Sequence, residues 1–179
     1  MIRIPFNRYK YNNDYINYLK DNRNHNFVGG GVFTKKIEKF FKKKYSLKDF
    51  VLTNSCTAAL EMAAILIDIK KGDEVIVPSY TFTSTANAFI LRGAKIKFAD
   101  SSDNHPNIDV SKIESLITSK TKCIVVVHYG GIACDMELIN SIAKKYKLRV
   151  IEDAAQCVDS YFKGIPLGSL GDLGCISFH

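Results

Sequence analysis

The chain has 179 residues, which is enough for one domain with a hydrophobic core. Its composition of 46% hydrophobic and 24% charged residues is ordinary for a globular protein and excludes the disordered and collagen-like classes. The net charge of +7 comes largely from lysines in the first third of the chain. Because Ile37, Phe40 and Phe41 interleave with these lysines at helical spacing, we interpret the lysines as the solvated face of a helix. We therefore expect no nucleic-acid binding.

Apolar residues recur alternately with the periods of helices and strands along the chain. The predicted helices are 34–44 with Thr34 as N-cap, 55–69, 81–92 ended by Gly93, 111–117, and 135–146 capped by Asp135. The predicted strands are 49–53, 74–77, 95–99, 122–127, 149–151 and 175–178, with a hairpin of 160–162 and 165–167 around Lys163-Gly164. This alternation predicts an α/β fold, a three-layer α/β/α arrangement with a mainly parallel sheet.

Ligands of such sheets bind at the carboxyl ends of the strands, so the residues that follow each strand are the candidates for a site. Small and hydroxyl residues, among them Ser55 and Thr57, open the second predicted helix. They are consistent either with a phosphate cradle at a helix N-terminus or with simple N-capping. The aromatic residues Tyr80 and Phe82 follow the next strand, where they could stack on a flat ring or belong to the core.

Two further strands are followed by groups that can titrate. His128 precedes two glycines, and a single histidine among apolar residues is more often structural than catalytic. Asp153 follows a buried strand, where a carboxylate is costly unless it is paired. A protonated heteroaromatic nitrogen would be a fitting partner, and a helix cap or a structural ion pair is the alternative.

Other classes of function are not indicated. The five cysteines form no C-x-x-C pair, so we expect reduced thiols in a cytoplasmic protein and no metal site. We expect neither a signal peptide nor a membrane span. Phosphate-loop, dinucleotide, zinc-protease and nucleophile-elbow motifs are absent from the sequence.

Six segments occur in an order that resembles the DegT/DnrJ/EryC1/StrS family of sugar aminotransferases, which depend on pyridoxal 5′-phosphate (PLP). The segments are SCTAALE (55–61), GDEVIVPSYTF (72–82), GA (93–94), VHYGG (127–131), EDAAQ (152–156) and GDLGCISFH (171–179). The resemblance implies that the chain is the N-terminal part of the large domain of a fold-type-I PLP-dependent transferase, with an N-terminal segment 1–48, a core 49–179 and no C-terminal small domain. It also implies a homodimer.

The resemblance assigns PLP-binding roles to residues that match the family motifs. Thr57, the backbone of Ala58 and the hydroxyl of Ser177 correspond to ligands of the phosphate. This agrees with the anion site expected at a helix N-terminus.

Three more residues correspond to those around the pyridine ring. Phe82, rather than Tyr80, matches the residue that stacks on the ring, and Gln156 matches the residue near the ring hydroxyl. Asp153 matches the carboxylate that pairs with the ring nitrogen and keeps it protonated, so that the ring can accept electrons.

The substrate implied by the resemblance is a nucleotide-linked 4-keto-6-deoxy sugar, with glutamate as the expected amino donor. Residues 55–100 are most similar to the subgroup of dTDP-4-amino-4,6-dideoxygalactose transaminases, which serve synthesis of surface polysaccharides such as the enterobacterial common antigen, so O-antigen and lipopolysaccharide pathways are the expected context.

The family's Schiff-base lysine would lie three positions beyond His179, so we expect no catalytic residue within the chain and little or no transamination by residues 1–179 alone. Two alternatives stay open: a PLP-dependent sugar dehydratase of the same family, with histidine in place of that lysine, and a non-catalytic fragment or interaction module.

Overall fold

The structure, a computed structural model, describes residues 12, 14–22 and 30–179, and the chain divides into two compact units, Met1–Leu52 and Thr53–His179. The first unit contains the helices α1 (Asp14–Asn22) and α2 (Val32–Lys44). The ring of Phe41 on α2 is buried and stacks on Phe50, with ring centroids 4.8 Å apart. The sequence did not predict α1.

The beginning of α2 differs from the prediction. Thr34 is not the N-cap, because the helix begins at Val32 and Gly31 is the N-cap, in extended backbone. Gly30, which has a φ of 75°, turns the chain just before this N-cap, and the helix begins two residues before Thr34. Thr34 therefore lies within the first turn.

The strand predicted at 49–53 is wrong. The segment has no strand partner among the described residues, and its backbone bonds to a side chain instead, since the Leu52 N–H donates to Glu38 Oε1 at 3.3 Å. Val51 is 61% exposed. An apolar, extended segment becomes a strand only where a neighbouring strand can accept its hydrogen bonds.

The second unit alternates strands and helices. In chain order its elements are α3 (Cys56–Leu66), β1 (Glu74–Pro78), α4 (Thr83–Ile90), β2 (Lys95–Ala99), β3 (Ser101–Ser102), β4 (His105–Ile108), a 3₁₀ helix (Val110–Lys112), α5 (Ile113–Leu116), β5 (Thr121–Val127), a second 3₁₀ helix (Tyr129–Gly131), α6 (Met136–Tyr146), β6 (Arg149–Ala154), β7 (Tyr161–Phe162), β8 (Ile165–Pro166) and β9 (Leu173–Ile176). The strands predicted after residue 70 are confirmed, with ends shifted by up to three residues. The antiparallel pair β3–β4 was not predicted.

Five parallel strands form one sheet in the order β2-β1-β5-β6-β9. Successive residues of β1 enter different cores: Val75 packs with Leu60 of α3, and Ile76 packs with Ile139 of α6. Helices therefore cover both faces of the sheet, and the predicted α/β fold is confirmed. Among the described residues, no helix has the length and apolarity needed to cross a membrane.

The edge strand β9 lies very close to the loop that precedes it. A Cβ added to Gly174 would overlap the backbone carbonyl of Gly168, and the Gly168 N–H is itself donated to Glu152 at 2.8 Å. Because the atoms that it would meet belong to the backbone of Gly168, a side chain at position 174 cannot be accommodated by a rotamer change alone.

We expect Gly174→Ala to lower the free energy of unfolding by about 2 kcal/mol, since it overpacks backbone against backbone. Urea denaturation followed by circular dichroism measures the loss. Gly164→Asn is the matched control, because Gly164 has a positive φ but nothing within 4 Å of an added Cβ, and asparagine tolerates that backbone. Equal losses in both variants would contradict the steric explanation.

Candidate active site

The carboxyl edge of the parallel sheet carries a cavity of about 310 Å³. Its lining comes from the segments that follow β1, β5 and β6 and consists of Tyr80, Thr81, Phe82, Val127, His128, Tyr129, Asp153, Ala155 and Gln156. Small-molecule sites of proteins have about this size, roughly 300–1,000 Å³, and combine apolar walls with a few polar groups. The position agrees with the rule for open parallel sheets.

Asp153, near the end of β6, is the buried charged group of this cavity. It is only 5% exposed, and it accepts hydrogen bonds from the Thr85 hydroxyl (2.6 Å, to Oδ2) and the Ala155 N–H (3.2 Å, to Oδ1). Burial raises the pKa of this carboxyl, and the two hydrogen bonds oppose the rise. Asp153 forms no ion pair with any residue that the structure describes.

A carboxylate has about four acceptor positions, and protein groups use two of those of Asp153. Asp153 also lines the cavity. An N–H donor with positive charge would therefore be the fitting partner for this site, because a buried carboxylate is costly until a cation pairs with it.

Aromatic side chains line the same cavity, and they are not core residues. Phe82, the N-cap of α4, is 75% exposed, so most of its side chain is open to a ligand. Tyr80 and Tyr129 meet with ring centroids 5.0 Å apart and hydroxyl oxygens 3.4 Å apart. The hydrogen bond between the two hydroxyls raises the pKa of Tyr129.

The beginning of α3 has free backbone N–H groups and two hydroxyls. Ser55 is the N-cap, and its Oγ accepts the Ala58 N–H at 3.1 Å. Thr57 donates its hydroxyl hydrogen to Ser84 Oγ at 2.9 Å, which brings the first turns of α3 and α4 together. Two helix N-termini with hydroxyls at one point favour an anion. Sequence reasoning missed Ser84, because the residue is 27 positions from Thr57.

Gln156 lies on the far side of the cavity beside the 3₁₀ helix. Its Oε1 accepts the N–H of Gly130, whose φ is 62°, at 2.6 Å. Buried Asn107 on β4 fixes the same turn: its Oδ1 accepts the Tyr129 N–H at 2.9 Å and its Nδ2 donates to the Ile132 carbonyl at 2.8 Å. No motif in the sequence pointed to Asn107.

The structure places only some of the six residues predicted to bind a cofactor around the cavity. Phe82, Asp153 and Gln156 line the cavity. Thr57 and Ala58 lie in the first turn of α3 and are not among the lining residues. Ser177 directly follows β9 at the same edge of the sheet, and its Oγ accepts the His179 N–H at 3.2 Å.

His128 is a structural histidine in this fold. The Cys134 N–H donates to its Nδ1 at 3.1 Å, so the ring proton lies on Nε2, which donates to Glu152 Oε2 at 2.9 Å. Both nitrogens of the ring are thus used inside the protein. The described residues contain no cluster of His, Cys, Asp and Glu that could hold a metal ion.

Glu152 is fully buried and lies on the opposite face of β6 from Asp153. Besides His128, three backbone N–H groups donate to it within 2.6–2.8 Å, those of Gly168, Leu170 and Gly171. Four donors therefore satisfy this carboxylate, and it ties the 168–171 loop to the carboxyl edge of the sheet.

A parallel sheet with a buried carboxylate and exposed aromatic rings in a cavity at its carboxyl edge defines an α/β protein that binds a small ligand there. A sequence profile of the DegT/DnrJ/EryC1/StrS aminotransferase family matches residues 10–179. The chain belongs to this family.

Relatives and solved structures agree with this assignment. The chain is similar to the spore coat polysaccharide biosynthesis protein SpsC of Bacillus subtilis (42% identity over 153 residues, 86% of this chain and 39% of that protein) and to GDP-perosamine synthase of Caulobacter vibrioides (40% over 148 residues, 83% and 40%). The PLP form of the putative sugar aminotransferase Spr1654 of Streptococcus pneumoniae superposes with a TM-score of 0.94 at 28% identity, over 99% of this chain and 49% of that one. The chain thus spans about two fifths to one half of the length of these three proteins.

We expect Glu152→Gln to lower the free energy of unfolding by about 3 kcal/mol, because the amide NH₂ would face N–H donors that now donate to a carboxylate. Thermal or urea unfolding measures the change. Glu137→Gln is the control: Glu137 is exposed and pairs with Lys163 at 2.6 Å, and such surface pairs contribute at most about 1 kcal/mol. A loss as small as that of the control would show that Glu152 does not hold the loop.

Proposed function

We propose that the protein is a PLP-dependent aminotransferase that acts on a nucleotide-linked keto sugar in the biosynthesis of a polysaccharide. The observation that carries the proposal is the buried carboxylate of Asp153, which has no cationic partner among the described residues and lines a cavity with exposed aromatic rings. Membership of the family and the similarity to a PLP-form structure support the choice of cofactor.

The residues at this edge fit PLP by their chemistry. Asp153 would accept the N–H of the pyridine ring and favour its protonated form, Phe82 would pack on the face of the ring, and Gln156 would lie near the ring hydroxyl. The hydroxyls of Thr57 and Ser177 and the N-terminus of α3 would bind the phosphate. Since the Ala58 N–H is donated to Ser55 Oγ, the proposed contribution of Ala58 requires that the phosphate share or displace this N-cap.

When bound, PLP supplies a ring that withdraws electrons from the carbon that bears the transferred nitrogen. The chain's own residues have simpler tasks. Asp153 holds a proton at the ring nitrogen, the aromatic wall formed by Phe82, Tyr80 and Tyr129 orients the ring and excludes water, and the 3₁₀ turn holds Gln156 in place.

The names of two relatives support a finer proposal for the substrate. GDP-perosamine synthase and SpsC are named for a nucleotide sugar and a polysaccharide, and we propose a nucleotide-linked 4-keto-6-deoxy sugar with glutamate as amino donor, in a surface-polysaccharide pathway in the cytoplasm. We further propose that residues 49–179 form part of a transferase large domain that acts as a homodimer. The lysine expected after His179 stays a prediction.

The test is a PLP titration of the purified protein, because little or no transamination is expected of residues 1–179 alone. We expect Asp153→Asn to raise the dissociation constant of PLP by roughly 10- to 100-fold, the usual cost of losing a charged hydrogen bond. Asp103→Asn, at an exposed turn, should bind like the unaltered protein. Equal affinity in both variants would refute the role of Asp153, and a protein that binds no PLP would refute the function.

We expect the ionised carboxylate of Asp153 to destabilise the PLP-free protein at neutral pH. Burial raises the pKa of this carboxyl, so the folded chain binds the proton more tightly than the unfolded chain. The resulting contribution to stability is fully present below the unfolded pKa of about 3.9 and is lost as the pH rises through the folded value. We therefore expect Asp153→Asn to unfold at a higher urea concentration than the unaltered protein at pH 7.5. At pH 4 the two midpoints should converge; a less stable variant at pH 7.5 would show that the ionised carboxylate does not destabilise the fold.

A further inference from the structure

We propose that Thr85 is a positioning residue for Asp153: its hydroxyl fixes the carboxylate so that the remaining acceptor positions are presented to a cationic ring nitrogen in the cavity. This inference rests on the proposed function and adds to it a residue on α4 to which the family resemblance assigned no role. Thr85 does not line the cavity. It would act through Asp153.

The direction of the hydrogen bonds can be worked out from the chemistry of the groups. Thr85 Oγ1 lies 2.6 Å from Asp153 Oδ2 and 2.8 Å from Thr81 Oγ1. The ionised carboxylate only accepts, so the single hydroxyl hydrogen of Thr85 is donated to it. Thr81 must then donate to Thr85. The result is a directed chain from Thr81 through Thr85 to Asp153, in which each donor polarises the next.

The fold keeps Thr85 in one place. Its side chain is fully buried, and a β-branched residue in a helix has few χ1 rotamers available. The helix that carries it is anchored to the sheet by buried Ala88 and Phe89, which belong to the same core cluster as Val75 and Val77 of β1. Since Thr85 is the third residue of α4, the carboxylate also lies beside the first turn of that helix, where the helix dipole favours negative charge.

The Thr85 hydroxyl makes the shorter of the two hydrogen bonds that Asp153 accepts, 2.6 Å against 3.2 Å for the Ala155 N–H. The titratable groups that interact electrostatically with the carboxylate are Cys56 of α3, Cys175 of β9, Cys157 and His128. Burial and Asp153 itself raise the pKa of Cys56 to about 12, so this thiol is uncharged at neutral pH. The burial of Asp153 raises its pKa, and among the hydrogen bonds that oppose the rise the one from Thr85 contributes most.

The experiment compares Thr85→Val, which removes the hydroxyl with little change of shape, with Thr85→Ser, which keeps it. Thr85→Ala, a good helix former, is a second variant without the hydroxyl in case valine does not fold. Thr83→Val makes the same chemical change at an exposed position of the same helix and is the control. Two measurements are made: the pKa of the Asp153 carboxyl by ¹³C NMR in the PLP-free protein, and the dissociation constant of PLP.

In Thr85→Val we expect a higher pKa of Asp153 and a dissociation constant of PLP raised about tenfold, while Thr85→Ser and Thr83→Val stay within about twofold of the unaltered protein. A double-mutant cycle separates positioning from packing. In an Asp153→Asn background, Thr85→Val should change PLP affinity by less than about twofold, since there is no carboxylate left to position.

An unchanged Asp153 pKa in Thr85→Val, or the same tenfold loss in the Asp153→Asn background, would overturn the proposal. So would a Thr85→Ser variant as impaired as Thr85→Val. Failure of the proposed function is recognised separately: the unaltered protein would then bind no PLP, while the NMR measurement, which needs no cofactor, still reports whether Thr85 and Asp153 are coupled.

Discussion

The carboxyl edge of this sheet depends on a single buried side chain, Glu152, and the hydrogen bonds that it accepts. Its two oxygens receive the His128 ring N–H and three backbone N–H groups of the 168–171 loop. A buried carboxylate with fewer hydrogen-bond donors would destabilise the fold. Because Glu152 has four donors, it instead joins β5, β6 and the segment that leads into β9. Two of the strands whose ends line the cavity, β5 and β6, are thus connected through Glu152.

The next residue in the chain has the opposite character. Alternation along β6 turns Asp153 to the other face of the sheet, where it receives two hydrogen bonds instead of four and lines the cavity. The protein thus carries two neighbouring carboxylates of which one is satisfied internally and one is left for a ligand. A site that holds an incompletely compensated charge in the absence of its ligand is stabilised when the ligand arrives, which couples binding to stability.

Much of the fold could be predicted from the sequence, because buried parallel strands such as β1 and β5 are largely apolar runs and a helix such as α6 is amphipathic. The segment 49–53 has a similar apolar pattern, but a strand forms only beside a partner strand. The local sequence pattern carries no information about such partners. In the site, Asp153, Phe82 and Gln156 were found through motifs. Thr85, Ser84 and Asn107 were not, since their roles arise from contacts between residues 22–68 positions apart.

The adjacency of Glu152 and Asp153 makes this strand intolerant of any change in chain length. A one-residue insertion or deletion within β6 would exchange the two faces, placing the longer acid in the cavity and the shorter one behind it, and neither would reach its donors. A substitution at either position changes one carboxylate at a time, whereas indels here would remove the cavity charge and its support together. Related proteins can therefore be expected to vary in the loops around β6 while keeping its residue count constant.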